Sequence, residues 1–196
     1  MVISTLISMS LFALAASLSP GPVNLVGVSS GARYGVRVGL QFVTGATLGF
    51  IALFVLIGTG LQQLTEAMPE LLLYLKWAGV AFLLYLSFQL LRDSGEISAE
   101  QQKNQPTAWI GAIMQWLNPK AWLASMSGIA AYTEPSYPQS LWVFAGLYMV
   151  ICWLSLMAWV LLGAWMGEWL NTPKRIRLLN RVLAIGLIGS CMVIVF

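Results

Sequence analysis

The sequence predicts an all-α integral membrane protein with six transmembrane helices in two inverted three-helix repeats. Its 196 residues are 59% hydrophobic and only 9% charged, whereas about a quarter of the residues in soluble domains are charged. Apolar runs long enough to cross a hydrocarbon core of about 30 Å recur along the whole chain. Two of these runs contain an internal proline, which predicts that helices 1 and 4 are broken near the membrane midplane.

The six apolar runs define the predicted spans. They cover approximately residues 2–28, 39–61, 71–91, 107–132, 140–165 and 176–196. A polar connector, residues 93–106, lies within a single transport domain, residues 1–196. Repeat one covers 1–92 and repeat two covers 107–196. Because each repeat has three spans, the second must enter the membrane from the opposite side, as in other inverted repeats.

The first interruption lies in span 1, at Ser19-Pro20-Gly21-Pro22. Both prolines lack an amide donor and fix φ, so helical hydrogen bonds fail there. Backbone groups that are freed inside a bilayer must face protein or a water-filled cavity. This segment, with Asn24 just after it, therefore predicts one half of a substrate site.

The second interruption lies in span 4, where Asn118-Pro119-Lys120 closely follows Gln115. Pro119 stands 99 residues after Pro20, about half of the chain, so the two repeats are interrupted at matching positions. Lys120 is the only basic residue near the middle of a span. We interpret it as a partner for a substrate carboxylate, or as a group that alternates between charged and neutral forms. The alternative is a structural tie between two helices, or a side chain that snorkels to the interface.

Each interruption predicts the start of a new half-helix. Ser19 and Asn118 each precede a proline, which is the pattern of an N-cap followed by proline at the first helical position. In an inverted repeat both N-termini point at the midplane, where their dipoles and free amides suit a carboxylate. Carbonyl groups freed at the ends of the first halves could accept hydrogen bonds from a substrate ammonium group. These carbonyls belong to Ser17, Leu18, Trp116 and Leu117.

The residues at the two interruptions make up the predicted substrate-binding site. They are Ser19, Pro20, Gly21, Pro22, Asn24, Gln115, Asn118, Pro119 and Lys120. Further polar residues that could line the path are Thr44, Thr47, Ser125 and Ser127. No Asp or Glu lies well inside a span, although binding a cationic side chain would normally call for one. We therefore expect a small neutral or polar substrate.

The composition also argues against other classes of site. Histidine is absent, and Cys152 and Cys191 lie far apart in apolar runs, so we predict two buried structural thiols, no metal site and no cofactor. No acid, base and nucleophile converge in the spans, so an enzyme is not expected. The basic residues occur in short turns rather than on one surface, so no nucleic-acid partner is expected.

The basic residues instead predict the orientation of the bundle. Eight lie in or beside loops 1, 3 and 5, against Lys76 alone on the other side. The positive-inside rule then places these three loops in the cytoplasm and both termini outside. Glycines recur at every fourth position from Gly27 to Gly39. This spacing favours close helix packing within the chain, with the face of a homo-oligomer as the alternative.

The two motifs and the length of the chain resemble those of the lysine exporter (LysE/RhtB) family of bacterial amino-acid exporters. The motifs are Ser19-Pro20-Gly21-Pro22, the glycines from Gly31 to Gly39, and Asn118-Pro119-Lys120-Ala121. The resemblance implies a secondary transporter that exports amino acids across the bacterial inner membrane, driven by proton antiport. Because the spans lack an internal acid, the closer members are those that export homoserine, threonine, leucine or cysteine derivatives. The alternatives are efflux of a metal ion or another small solute, or an accessory membrane subunit.

Overall fold

The computed structural model describes residues 3–61, 105–134, 136–169 and 172–195, together with eleven separate residues between 70 and 92. Within these residues the secondary structure is helical, apart from an isolated bridge between Glu134 and Tyr137. The eleven separate residues, which fall in or beside predicted span 3, are all helical, and the span itself stays a prediction. The rest of that span, and most of the polar connector, lie outside the described residues.

Seven α-helices have defined bounds in this part of the chain. They are α1 (Ile3–Leu18), α2 (Pro22–Tyr34), α3 (Val36–Leu56), α4 (Ala108–Trp116), α5 (Pro119–Tyr132), α6 (Gln139–Trp169) and α7 (Pro173–Val195). Helix α3 continues into a π-helical turn, Ile57–Leu61. Both predicted interruptions are present, one between α1 and α2 and the other between α4 and α5.

Two helices in the described part are long and apolar enough to cross a membrane. One runs from Val36 to Gly60 and the other from Gln139 to Gly167. Helices α1 and α2 together also meet the length and hydropathy criteria, although they meet at an angle of 62°. Counted as one broken span, this pair brings the number of candidate spans in this part of the chain from two to three.

Helix α6 is the central element of the bundle. It packs against α1, α2 and α3, while α4 packs along α3. With 31 residues, α6 is about 46 Å long at about 1.5 Å per residue. It is apolar on all sides, as expected for a helix surrounded by protein and lipid.

An aromatic cluster joins α6 to α1 and α3. The ring centroids of Phe50 and Tyr148 are 4.6 Å apart, and those of Phe54 and Phe144 are 5.2 Å apart in an edge-to-face arrangement. Phe12 of α1 completes the cluster, 6.3 Å from Tyr148. Such pairs add about 0.5–1.5 kcal/mol each beyond the area they bury, so the cluster fixes these helices firmly against each other.

The glycines predicted at helix contacts pack within the chain. A Cβ on Gly31 would overlap the backbone of Val160 in α6, and one on Gly163 would overlap the backbone of Val28 in α2. These small residues therefore let the two backbones touch, as the glycine spacing predicted. Gly35 has a different role, because its φ of 81° is needed for the turn between α2 and α3.

Candidate substrate site between two helix breaks

The first break separates α1 from α2 by three residues. Helix α1 ends at Leu18, and α2 begins at Pro22. Gly21 takes the N-cap position in an extended conformation, with φ −165° and ψ 175°. The predicted N-cap role of Ser19 is therefore wrong.

The reason for this difference is the second proline. A residue that precedes proline is pushed out of the helical region, so Gly21 cannot be helical before Pro22. A helix starting at Pro20 would have required that conformation. The hydroxyl of Ser19 instead donates back to the carbonyl oxygen of Ala16 at 3.1 Å.

Side chains of the protein bind two of the carbonyl groups freed at the first break. The amide nitrogen Nδ2 of Asn24, which is buried, donates to the carbonyl oxygen of Ser17 at 2.9 Å. The ammonium group of Lys120 donates to the carbonyl oxygen of Ser19 at 2.5 Å. Lys120 belongs to the second break, so this hydrogen bond joins the two interruptions directly.

The second break has the N-cap that the sequence predicted. Asn118 is extended, and its Oδ1 accepts from the backbone amide of Lys120 at 3.1 Å, with Pro119 at the first helical position. Its Nδ2 lies 3.4 Å from Oε1 of Gln115. The indole of Trp122 donates to the freed carbonyl oxygen of Trp116 at 2.7 Å. The second break thus satisfies most of its own polar groups locally.

The N-terminus of α2, in contrast, has no side-chain cap. Proline has no amide hydrogen, so the amides of Val23 and Asn24 are the first-turn donors that the helix leaves without an internal acceptor. The side chain of Lys120 passes close to this turn, because a Cβ built on Gly21 would lie 3.2 Å from both its Cδ and its Nζ. A cationic group and a positive helix terminus are thus adjacent, an arrangement that favours binding of an anion.

A cavity of about 40 Å³ lies at the meeting point of the two breaks. It has room for a few water molecules, since one water needs about 10–15 Å³ on this measure. Its walls come from α1, α2, α3, α5 and α6 and from the residues around the second break. The lining residues are Ala16, Ser17, Val23, Asn24, Phe50, Gln115, Asn118, Lys120, Ala121, Ala124, Tyr148, Cys152 and Leu156.

The structure brings four of the predicted site residues to this cavity: Asn24, Gln115, Asn118 and Lys120. Three others are not part of its wall: the carbonyl group of Ser19 and the backbone of Gly21 lie next to Lys120, and Pro22 is the buried first residue of α2. Pro20 is exposed, and neither Pro20 nor Pro119 lines the cavity. These two prolines shape the breaks without forming the walls.

The additional polar residues predicted along the path are more dispersed. The hydroxyl of Thr44 accepts a hydrogen bond from the indole of Trp153 at 3.1 Å, on an exposed face. Ser127 is also exposed. Thr47 and Ser125 are buried, but neither is part of the cavity wall.

Sequence reasoning missed the contribution of α6 to the cavity. Tyr148, Cys152 and Leu156 are spaced four residues apart, so they occupy one stripe of the helix that faces the two breaks. Cys152 is buried, as predicted, but it lines the cavity rather than lying in the packed core alone. The only available signal was this spacing, which is hidden in a helix that is apolar on every side. The side chain of Cys191 lies outside the described residues.

Among the residues that the structure describes, no group of three or more His, Cys, Asp or Glu side chains could hold a metal ion. The polar lining of the cavity consists instead of one ammonium group, carboxamides, hydroxyls and a thiol. These groups can bind a zwitterion through charge-assisted hydrogen bonds, but they offer few of the ligands that divalent metals prefer.

Comparison with known protein families identifies the class of this membrane protein. The LysE type translocator family matches residues 14–195, which include both helix breaks and all of the cavity wall. The chain belongs to this family. Its members are described as translocators.

Some relatives are named for the compounds that they export. The cysteine/O-acetylserine efflux protein of Klebsiella pneumoniae is 28% identical over 166 residues, covering 81% of this chain and 82% of that protein. The protein of the same name from Salmonella typhimurium is 23% identical over 151 residues, covering 72% and 76%. An uncharacterized membrane protein of Vibrio cholerae is 23% identical over 185 residues, covering 91% and 90%. No solved structure matches the chain significantly.

Proposed function

We propose that this LysE family member exports small neutral amino acids or their derivatives by alternating access, with the cavity between the two breaks as the substrate site. The types of substrate are homoserine, threonine, leucine and cysteine derivatives. The relatives named for cysteine and O-acetylserine efflux support this range. The observation that carries the proposal is the position of Lys120, which reaches from the second break to the first beside the cavity.

In this proposal the substrate carboxylate binds between Lys120 and the first turn of α2. A lysine ammonium group has three donors, and only one is used by the carbonyl oxygen of Ser19. The uncapped amides of Val23 and Asn24 supply further donors, and the dipole of α2 adds to the attraction. A carboxylate bound here would have donors from both repeats.

The substrate ammonium group would bind to carboxamide oxygens of the cavity. Two of the carbonyl groups expected to serve this purpose, those of Ser17 and Trp116, already accept hydrogen bonds from Asn24 and Trp122. The hydrogen bond to Ser17 fixes the carboxamide of Asn24 and leaves its Oδ1 as an acceptor. Gln115 supplies a second carboxamide oxygen, which can accept one more donor.

The membrane arrangement that we propose has six spans in two inverted repeats, with both termini in the periplasm of a bacterial inner membrane. The matching breaks support the repeats, and the distribution of basic residues supports the orientation. Protons are the proposed coupling ion. Lys120 is the candidate carrier, because it is the only cationic side chain placed near the middle of a span. A homo-oligomer is not needed for this mechanism and stays a prediction.

Transport by the purified protein tests the proposal. Proteoliposomes loaded with labelled homoserine, threonine, leucine or cysteine should lose the label when a proton gradient is imposed. The double variant Lys120→Ala, Asn118→Ala should abolish this loss, and unchanged flux would remove the site from consideration. Flux that needs another protein would instead indicate an accessory subunit. Metal sensitivity of a deletion strain, without amino-acid flux, would indicate efflux of a metal ion.

A further inference from the structure

The α6 stripe of the cavity is not needed to bind the charged groups of an amino acid. Those groups have their partners on α2 and around the second break, in Lys120, Asn24 and Gln115. Cys152 and Tyr148 also line the same small cavity, and neither carries a charge that a zwitterion needs. Their position suggests contact with the remaining part of the substrate, its side chain.

Hydroxyl groups from two helices lie close to Cys152. The hydroxyls of Ser17 in α1 and Thr47 in α3 lie beside its thiol. Thr47 is only 2% exposed, and its hydroxyl makes no hydrogen bond of good geometry. Thr47 is not part of the cavity wall, whereas Ser17 and Cys152 are. A ligand that brings a polar atom to this part of the cavity would therefore meet a hydroxyl and a thiol that can form hydrogen bonds with it.

Tyr148 limits the size of the cavity next to Cys152. Its ring is 2% exposed and is held by Phe50, Phe54 and Phe144, with centroid distances of 4.6, 5.6 and 5.5 Å. A ring packed on several sides has little freedom to move aside, because protein interiors are close-packed. The cavity can therefore admit a longer side chain only at a considerable cost.

We propose that Ser17, Tyr148 and Cys152 form the side-chain subsite of the transporter, and that Cys152 sets the size and polarity of the side chain it accepts. This inference rests on the proposed function. The preferred substrates are then amino acids with a short side chain that ends in a hydroxyl or a thiol, in preference to leucine. A site that hydrogen-bonds a polar substrate atom strongly rejects an analogue without it, whereas bulk alone discriminates less.

Competition between substrates tests this subsite. Proteoliposomes would contain labelled serine, cysteine, homoserine and leucine together, and the ratio of their export rates would be measured for the wild type and for Cys152→Ser, Cys152→Ala and Cys152→Leu. The variant Ala158→Leu is the control, because it introduces the same leucine side chain at an exposed position of α6. The variant Tyr148→Phe keeps the aromatic packing and removes only the phenol oxygen.

We expect Cys152→Ser to keep the preference for hydroxyl and thiol side chains. Cys152→Ala should shift the ratio towards leucine by about tenfold, the lower end of what one methylene group contributes in such pockets. Cys152→Leu should reduce export of the longer side chains first, and Ala158→Leu should leave every ratio unchanged. If Cys152→Leu does not insert, the other two variants decide the result.

The outcomes separate this inference from the function on which it rests. Unchanged substrate ratios in Cys152→Ala and Cys152→Ser, with export still abolished by Lys120→Ala, would overturn the subsite and leave the transporter intact. A wild-type preference for leucine would also overturn the subsite. No export of any amino acid by the wild type would overturn both.

Discussion

Prolines interrupt the helix at both breaks, but the breaks differ in how their free backbone groups are hydrogen-bonded. At the second break, Asn118 caps α5 and Trp122 binds the carbonyl group of Trp116. At the first break, Gly21 provides no side-chain cap, and Lys120 comes from the second break to bind the carbonyl group of Ser19. The two breaks therefore have different roles. The second is a locally capped support for a cation, and the first leaves the N-terminus of α2 without a side-chain cap.

The largest effect that we expect concerns the cation shared by the two breaks. Lys120→Met keeps most of the aliphatic stem but removes the ammonium group. Export should fall by about thirtyfold or more, because losing one partner of a desolvated charged pair costs about 2–5 kcal/mol. Initial export rates over a range of substrate concentrations measure this loss. Lys174→Met, at an exposed position of α7, is the control, and equal rates for the two variants would contradict the assigned role.

The next prediction compares the stability lost at the capped break with that lost at the uncapped break. Asn118→Ala should lower the free energy of unfolding by about 1 kcal/mol, the usual cost of losing an N-cap. Asn118→Ser should restore most of it, since serine is also a good cap. Ser19→Ala should change the stability little, because Ser19 does not cap α2. Thermal unfolding in detergent measures all three, and equal losses for Asn118→Ala and Ser19→Ala would show that the breaks are alike.

A smaller effect is expected from the indole that closes the second break. Trp122→Phe keeps an aromatic ring but removes the donor to the carbonyl oxygen of Trp116. The free energy of unfolding should fall by about 0.5–1.5 kcal/mol, the net value of one such hydrogen bond, with little change in the substrate ratios. Trp142→Phe, at a residue that is 59% exposed, provides the control in the same unfolding measurement. A loss of export without any loss of stability would place Trp122 in the substrate site instead.

The smallest effect tests whether Lys120 is positioned by the first break. In Gly21→Ala, the new methyl group would lie 3.2 Å from Cδ and Nζ of Lys120, so the ammonium group must shift slightly. Export should fall by roughly threefold, since even small misplacements of a binding group reduce rates. Any residue can adopt the extended backbone of Gly21, so the only stability cost expected is the modest one of alanine in place of glycine at an N-cap. Gly146→Ala, where a Cβ has no neighbour within 4 Å, is the control.

Much of the candidate site could be predicted from the sequence, because proline and glycine act locally. Pro20, Pro22 and Pro119 interrupt hydrogen bonding wherever they occur, so both breaks were predictable without tertiary information. The capping role of Asn118 was predictable for the same reason. The cap assigned to Ser19 was wrong because the second proline, Pro22, keeps Gly21 out of the helical region and so moves the start of α2 to Pro22.

The contribution of α6 could not be predicted in this way. The positions of Tyr148 and Cys152 depend on which stripe of an entirely apolar helix faces the breaks, and such a helix has no hydrophobic periodicity to show its orientation. Tertiary contacts decide it, among them those with α2 and those of the aromatic cluster that joins α6 to α1 and α3. The partner of Lys120 could not be predicted from the sequence either, which indicated a substrate carboxylate or a structural contact between helices. The structure shows a structural contact, the hydrogen bond from Lys120 to the carbonyl oxygen of Ser19. The carboxylate partner stays a prediction.

The touching backbones of α2 and α6 have a mechanical consequence. Where Gly31 faces Val160 and Gly163 faces Val28, the two backbones meet without a Cβ between them. At these two points no glycine side chain obstructs a small rotation of one helix against the other. Helix α2 also provides the uncapped first turn. A small rotation at this contact would therefore change the direction in which the amides of that turn point.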